Sequence, residues 1–456
     1  MGIPRLAPSP IAVCEVSLRP LWRSAVLVAI VVGLLIVLAV PVLRTGVAET
    51  LASSGKISDL ERALAIDPGN AELHRQLGVF DLYLADPPDS EAALTHLHRA
   101  AELDPENPLY WANLGAACES AGDGACADAA FARLLTLAPM TPRYLWAAAN
   151  YQLRSGNTNE ALAQFRRLVA ISSDLDLALG RPYIEQTLEI CLRALGDPQT
   201  IFQQVLAGQQ RVDAKLDFVD YLSRHDRFDD AYKIWVETVA HSAPFPFTEV
   251  QDYLGRLLIQ SRYQDAWGVW RDLLRMGIVS RPPGDEPDNL VFNGSFEASP
   301  LNAGFDWHFA EVPFVSLDFA APQAYRGARS LRLEFAKRND VFQPVYEFVP
   351  VTPGQSYTLA AYVRSDNLTS DTGPELRIFD PAHPENLDVS TEMTVGTTAW
   401  HPVSVNFRPG PDTHFVMLAV RRSRSRTFPT EISGTFWVDA ISIQPAGSVT
   451  TASSKP

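Results

Sequence analysis

The sequence predicts a chain of three parts: a single transmembrane helix, an all-α solenoid and an all-β sandwich. Three observations carry this. Residues 25–43 are apolar, Gly or Pro without exception. Matching residues recur every 34 positions between Ala93 and Phe165. After residue 289 the pattern changes to short alternating apolar segments separated by Gly, Pro and Asp turns. The chain has 456 residues, 46% of them hydrophobic, and a formal net charge of −15. That length suits several domains. The acidic balance argues against a nucleic-acid partner, because phosphate recognition needs basic surface.

The first part is "AVLVAIVVGLLIVLAVPVL", residues 25–43. As a helix it spans about 28 Å, close to the roughly 30 Å hydrocarbon core of a bilayer. Trp22 and Arg23 flank one end and Arg44 the other, as interfacial anchors do. Arg5, Arg19 and Arg23 precede the span, while Arg44 and Lys56 follow it. That weak bias places residues 1–24 in the cytoplasm and the remaining chain outside it, periplasmic in a bacterium. "GVAET" at 46–50 leaves a cleaved signal peptide as the alternative, although the apolar run is longer than such peptides carry.

The second part begins near residue 56. Trp111, Leu114 and Gly115 give W-x2-L-G, Ala127 and Phe131 give A-x3-F, and Pro139 follows. Ala93, Ala127 and Ala161 are 34 apart, as are Leu97, Phe131 and Phe165. Gly and Ala let paired helices approach, and the aromatic or Leu fills the gap between hairpins. "DPGN" and "DPEN" stop one helix and cap the next. These residues resemble the tetratricopeptide repeat over 56–173. "DDAYKIW" (229–235) and "QDAWGVW" (264–270) echo A-x3-aromatic, so 182–280 reads as further, degenerate hairpins. The resemblance implies a solenoid that receives protein partners. His96 and His98 are two apart on a helix and point different ways, so they read as surface residues and not as metal ligands.

Four cysteines (Cys14, Cys118, Cys126, Cys191) lack zinc-site spacing. Cys118 and Cys126 flank the turn "ESAGDGA" of one hairpin. Two readings stay open for them. Outside the cytoplasm a disulfide would persist and staple the hairpin; otherwise they are two small apolar side chains in a helix interface.

"RPPGDEPD" (281–288) breaks helical periodicity and reads as a linker. The third part, 289–445, contains "SLRLEF", "SYTLAAYVR", "ELRIF", "VSVNF", "FVMLAV" and "FWVDAISI" as strands, which predicts a β-sandwich. A tail, 446–456, is expected to be disordered. "NLVFNGSFE", Trp307, "YRGARSLRLEF", "VTPGQSYTLAAYVR", Trp400 and "FWVDAISI" resemble a carbohydrate-binding module with a galactose-binding-like jelly roll. That resemblance implies a glycan-binding sheet face. Alternation points Leu376 and Ile378 inward and leaves Glu375 and Arg377 on the other face, with Gln343 and Tyr346 in a neighbouring strand. These four are the candidate ligand residues. The resemblance also implies a structural calcium ion where first and last strands meet, at Glu297 and Asp439.

No Walker loop, H-E-x-x-H, G-x-S-x-G or C-x-x-C occurs, so the chain is expected to bind and not to catalyse. The leading expectation is a membrane-anchored extracytoplasmic adaptor in envelope or exopolysaccharide biogenesis. The alternative is a protein–protein assembly scaffold whose sandwich binds no sugar.

Overall fold

A computed structural model describes residues 21–171, 182–428 and 430–446. The tails expected at 1–24 and 446–456 therefore lie almost wholly outside the described residues. The chain divides into two compact units, Met1–Ser172 and Ser173–Pro456.

The first unit holds eight described helices: α1 (Leu21–Ala52), α2 (Ile57–Ile66), α3 (Ala71–Tyr83), α4 (Ser90–Leu103), α5 (Pro108–Ser120), α6 (Gly124–Leu137), α7 (Pro142–Arg154) and α8 (Thr158–Ile171). From Ser24 onward α1 is long and apolar enough to cross a membrane or to act as a signal sequence. It also runs nine residues past the predicted end at 43. The reason is packing: Ala48 is fully buried in a small core with Leu60, Ala63, Leu73 and Leu77. Arg44, expected at a membrane interface, donates from Nε to the Ile66 carbonyl at 3.0 Å.

The next helices pair as hairpins, α3 with α4, α5 with α6 and α7 with α8. Side chains cap the orphan N–H groups at four starts: Asn70 for α3, Asp89 for α4, Asn107 for α5 and Asp123 for α6. The repeat glycines are explained by contact. A Cβ on Gly115 would lie 2.8 Å from the Phe131 ring, and one on Gly78 would lie 2.5 Å from Leu97. Gly at that position and Phe or Leu 16 to 19 residues on are therefore one packing feature. Cys118 and Cys126 form a disulfide across the α5–α6 turn, with Cα atoms 5.7 Å apart.

The second unit begins with α9 (Pro182–Leu195), α10 (Pro198–Ile201), α11 (Val212–Arg224), α12 (Phe228–Ala240), α13 (Gln251–Ile259) and α14 (Tyr263–Arg275). Ala231, Trp235, Ala266 and Trp270, the echoed residues, are all buried. Trp235 Nε1 donates to Asp272 Oδ2 of α14 at 3.0 Å, which ties the two echoes together.

Ten strands follow: β1 (His308–Phe309), β2 (Val315–Ala321), β3 (Ser330–Arg338), β4 (Phe342–Pro350), β5 (Tyr357–Leu368), β6 (Glu375–Phe379), β7 (Asp388–Ser390), β8 (Gly396–Phe407), β9 (Phe415–Arg422) and β10 (Ile432–Pro445). They form two five-stranded antiparallel sheets, ordered β1-β4-β9-β6-β7 and β2-β3-β10-β5-β8. The core between them includes Leu333, Val345, Leu359, Val363, Leu376, Ile378, Leu418, Val420, Phe436 and Val438, the inward members of alternating strands. Each of the six segments read as a strand lies wholly or almost wholly within one, while β1 and β7 were too short to show a period.

The segment at 281–288 does not divide the helices from the sandwich, which share the second unit. Trp270 meets Phe292 at 5.4 Å and Phe305 at 6.1 Å between ring centroids, and Trp267 meets Phe305 at 4.9 Å. Gly304 has φ +65, and a Cβ there would come within 2.4 Å of Trp270. Aromatic contacts of this kind join the last helix to the segment that leads into the sandwich.

Candidate ligand-binding face

In the first sheet, the core takes Leu376 and Ile378 of β6, Val345 and Val349 of β4, and Val416, Leu418 and Val420 of β9. Their neighbours in sequence therefore face outward. Strand register lines five of those residues into one row across the whole sheet. His308 pairs with Tyr346, Tyr346 with Ala419, Ala419 with Arg377, and Arg377 with Ser390. Ala419, the small residue in the middle of the row, is fully buried, and Arg377 reaches over its strand to Gln343 of β4.

One side of the row is aromatic. The Tyr346 and His308 rings are stacked, 5.0 Å apart and 6° from parallel. His308 is fixed by a 2.8 Å contact between Nε2 and the Gly304 carbonyl, and burial lowers its pKa from 6.5, so it favours the neutral ring. The other side is polar. Arg377 holds Asp388 through two hydrogen bonds, Nε at 2.7 Å and Nη2 at 2.6 Å, and its Nη1 donates to Gln343 Oε1 at 3.0 Å. Hydrogen bonding to Arg377 keeps the Asp388 carboxyl below its usual range, so this pair is ionised. The guanidinium also lies 4.3 Å from the Phe379 ring centroid. Glu375 sits beside Arg421, 3.8 Å away, with its pKa raised by burial despite that cation.

Gln343, Tyr346, Glu375 and Arg377 thus occupy one face of one sheet. The placement differs in one respect from the sequence reading: β4 and β6 are not adjacent, because β9 runs between them. Arg377 and Gln343 still meet, because Ala419 of β9 leaves room above it. The residues missed were His308, Ala419 and Asp388. His308 and Asp388 lie in strands of two and three residues, which carry no period. Ala419 was visible only as the small outward residue of "FVMLAV".

One end of the face is covered from within the same unit. Tyr263 of α14 packs against Phe348 at 5.4 Å and Phe415 at 5.8 Å. Beside it is a cavity of about 310 Å³ whose lining includes Arg262, Tyr263, Asp380, His383, Thr413 and Phe415.

The structure brings Glu297 and Asp439 to the same loop, 325–329, but as hydrogen-bond acceptors. Glu297 Oε1 accepts from the N–H groups of Ala328 (2.8 Å) and Arg329 (3.1 Å). Asp439 Oδ2 accepts from Tyr325 (2.7 Å) and Arg326 (2.9 Å), and its Oδ1 from Ala440 (2.6 Å). Calcium needs about six to eight oxygen ligands. Here N–H groups point at the carboxylates, and no group of three or more His, Cys, Asp or Glu is placed to hold a metal among the described residues. In this arrangement the two acids anchor the loop. His98 pairs with Glu102 at 3.2 Å, whereas His96 meets His74, with their Nδ1 atoms 3.1 Å apart.

No protein-family model and no curated protein matches the chain. Solved structures give partial likenesses. The enzymatically active domain of bacteriophage CBA120 tailspike protein 4 is 16% identical over 35% of this chain, with a TM-score of 0.26; the chain spans 21% of that protein. TmCBM61, solved with β-1,4-galactotriose, is 14% identical over 34% of this chain and 98% of its own, with a TM-score of 0.25. The pilF protein of Pseudomonas aeruginosa is 17% identical over 47% of this chain and 94% of its own, with a TM-score of 0.26. Similarities with TM-scores this low settle neither fold nor function.

Proposed function

We propose that this chain is a membrane-anchored extracytoplasmic adaptor of cell-envelope or exopolysaccharide biogenesis. Its helical hairpins receive protein partners, and its sandwich holds a saccharide on the outer face of the first sheet. The observation that carries the saccharide reading is the register row His308–Tyr346–Ala419–Arg377–Ser390. It sets an aromatic side opposite a charged hydrogen-bonding side. Sugar rings need that combination, an apolar face to stack on and polar groups for the hydroxyls. The anchor reading is supported by Ala48, which ties the end of α1 into the core of the hairpins. The reading involves no catalytic step.

The experiment is a glycan array probed with the detergent-solubilised full chain and with its Tyr346→Ala and Arg377→Ala variants. Binding that both substitutions abolish supports the reading. Binding unaffected by either substitution would place the saccharide elsewhere. A second reading, a scaffold whose sandwich is purely structural, is favoured by one observation: Tyr263 already covers the Phe348–Phe415 end of this face. Absence of any glycan binding by folded protein would select it.

A further inference from the structure

The second sheet carries its own outward aromatic group, and the first-sheet reading makes no use of it. The rings of Tyr325 and Tyr362 are stacked with centroids 3.5 Å apart and planes 10° from parallel. Trp400 lies 6.0 Å from Tyr325 at 57°. Tyr325 is 41% exposed, so this group presents aromatic surface to solvent. Tyr362 is outward by register, opposite Asp439 of β10 on one side and Pro402 of β8 on the other.

Tyr362, the ring on which Tyr325 stacks, also borders a concave space. A cavity of about 220 Å³ is lined by Tyr362 together with Glu286, Arg326, Ser442 and Gln444. Its polar groups are fixed in place. Arg326 Nη1 donates to Glu286 Oε1 at 3.2 Å, and Gln444 Nε2 donates to Glu286 Oε2 at 3.1 Å. The loop that supplies Tyr325 and Arg326 is held by Asp439, which accepts both of their N–H groups, and by Glu297 two residues further on. The two acids expected to bind calcium therefore have another use: they set the position of an aromatic ring and a guanidinium at the rim of a cavity.

We propose that this corner of the second sheet is a separate binding site for one neutral pyranose residue. Size limits the ligand, since the cavity is smaller than the roughly 300 Å³ at which pockets for drug-sized molecules begin. Charge selects it. The lining sets two carboxyl groups, Asp285 and Glu286, against one cation, Arg326, and the chain as a whole carries −15, which disfavours an acidic sugar. Chemistry completes the match. Stacked Tyr rings offer an apolar platform for a sugar face, and Glu286, Arg326, Ser442 and Gln444 offer both donors and acceptors to hydroxyls. The site does not depend on the outer face of the first sheet, because the outer faces of the two sheets of a sandwich look in opposite directions.

The test is calorimetric titration of the detergent-solubilised full chain with neutral gluco-, galacto-, manno- and xylo-oligosaccharides, with polygalacturonate as the acidic control. Two sites per chain are expected for a neutral oligosaccharide. Tyr325→Ala and Trp400→Ala, each prepared alone, should weaken one of them at least tenfold, and Arg377→Ala should remove only the other. Circular dichroism confirms that each variant is folded, and using two separate substitutions guards against one that is not. Three results overturn the proposal: one site per chain that Arg377→Ala abolishes, preference for polygalacturonate, or no binding by folded wild-type protein. A single site lost only in the Tyr325 and Trp400 variants would uphold it while refuting the first-sheet reading.

Discussion

Raising the pH should weaken the second unit between about pH 4 and about pH 6, because it buries acids in their protonated form. Asp306 is 1% exposed, and burial raises its carboxyl from 3.8 to about 6, against the opposing pull of N–H groups from Leu301 and Trp307. Burial likewise pushes Glu347 well above 4.5; its Oε1 accepts from the Phe292 N–H and its Oε2 has no partner. Over this window the folded state binds more protons than the unfolded chain. The stability contributed is therefore full below the unfolded value and is lost as pH rises through the folded one. For Asp306 alone, 3.8 against about 6 corresponds to roughly 3 kcal/mol. His308 acts in the opposite sense, because its pKa is lowered from 6.5 and its stability is lost as pH falls below that value. The readout is therefore a difference: urea unfolding followed by tryptophan fluorescence, wild type against Asp306→Asn, from about pH 4.5 to about pH 7.5. Asn loses one acceptor and lowers stability at every pH, but it should also flatten the slope by about 2–3 kcal/mol across the range. An unchanged slope would refute protonation of Asp306 in the folded state.

Peptide mapping of non-reduced protein should recover Cys118 linked to Cys126, and Cys118→Ser with Cys126→Ser should destabilise the first unit. The chain-entropy cost for so short a loop is about 2–3 kcal/mol; both thiols free to alkylation would contradict the pairing. Gly115→Val should lower the stability of the first unit to denaturant unfolding by about 1–3 kcal/mol, because Phe131 must move, and co-substitution with Phe131→Leu should restore part of the loss. Chelation of divalent cations should leave the melting temperature of the second unit unchanged, because backbone N–H groups already satisfy Glu297 and Asp439; a clear drop would establish a metal site there.

How far the sequence could be read depended on how local the signal was. The Ala127–Phe131 spacing and Gly115 lie in one hairpin, so their contact repeats with the chain and appears as a period. Glu375 and Arg377 are assigned to a face by alternation alone, which is a property of single strands. The order of strands was not legible. That β9 lies between β4 and β6 depends on pairing across many residues, which leaves no local trace. The extension of α1 to Ala52 was hidden for the same reason, since Ala48 is buried by Leu60, Leu73 and Leu77 and not by its own neighbours. In the segment 281–288, Pro and Gly report only that helical periodicity has ended. What keeps the segment in place is Glu286 bonded to Arg326 and Gln444, with Trp270 packed against Phe292 nearby.

The central claim is that a saccharide lies on the outer face of the first sheet, against Tyr346 and Arg377. Hydrogen exchange of the full chain, with and without the best oligosaccharide from the array, tests it most directly. The account predicts slower exchange on adding the sugar in β4, β9 and β6, around Tyr346, Ala419 and Arg377, and no such change in Arg377→Ala. Protection confined to other strands, or none with a sugar that binds, would contradict it.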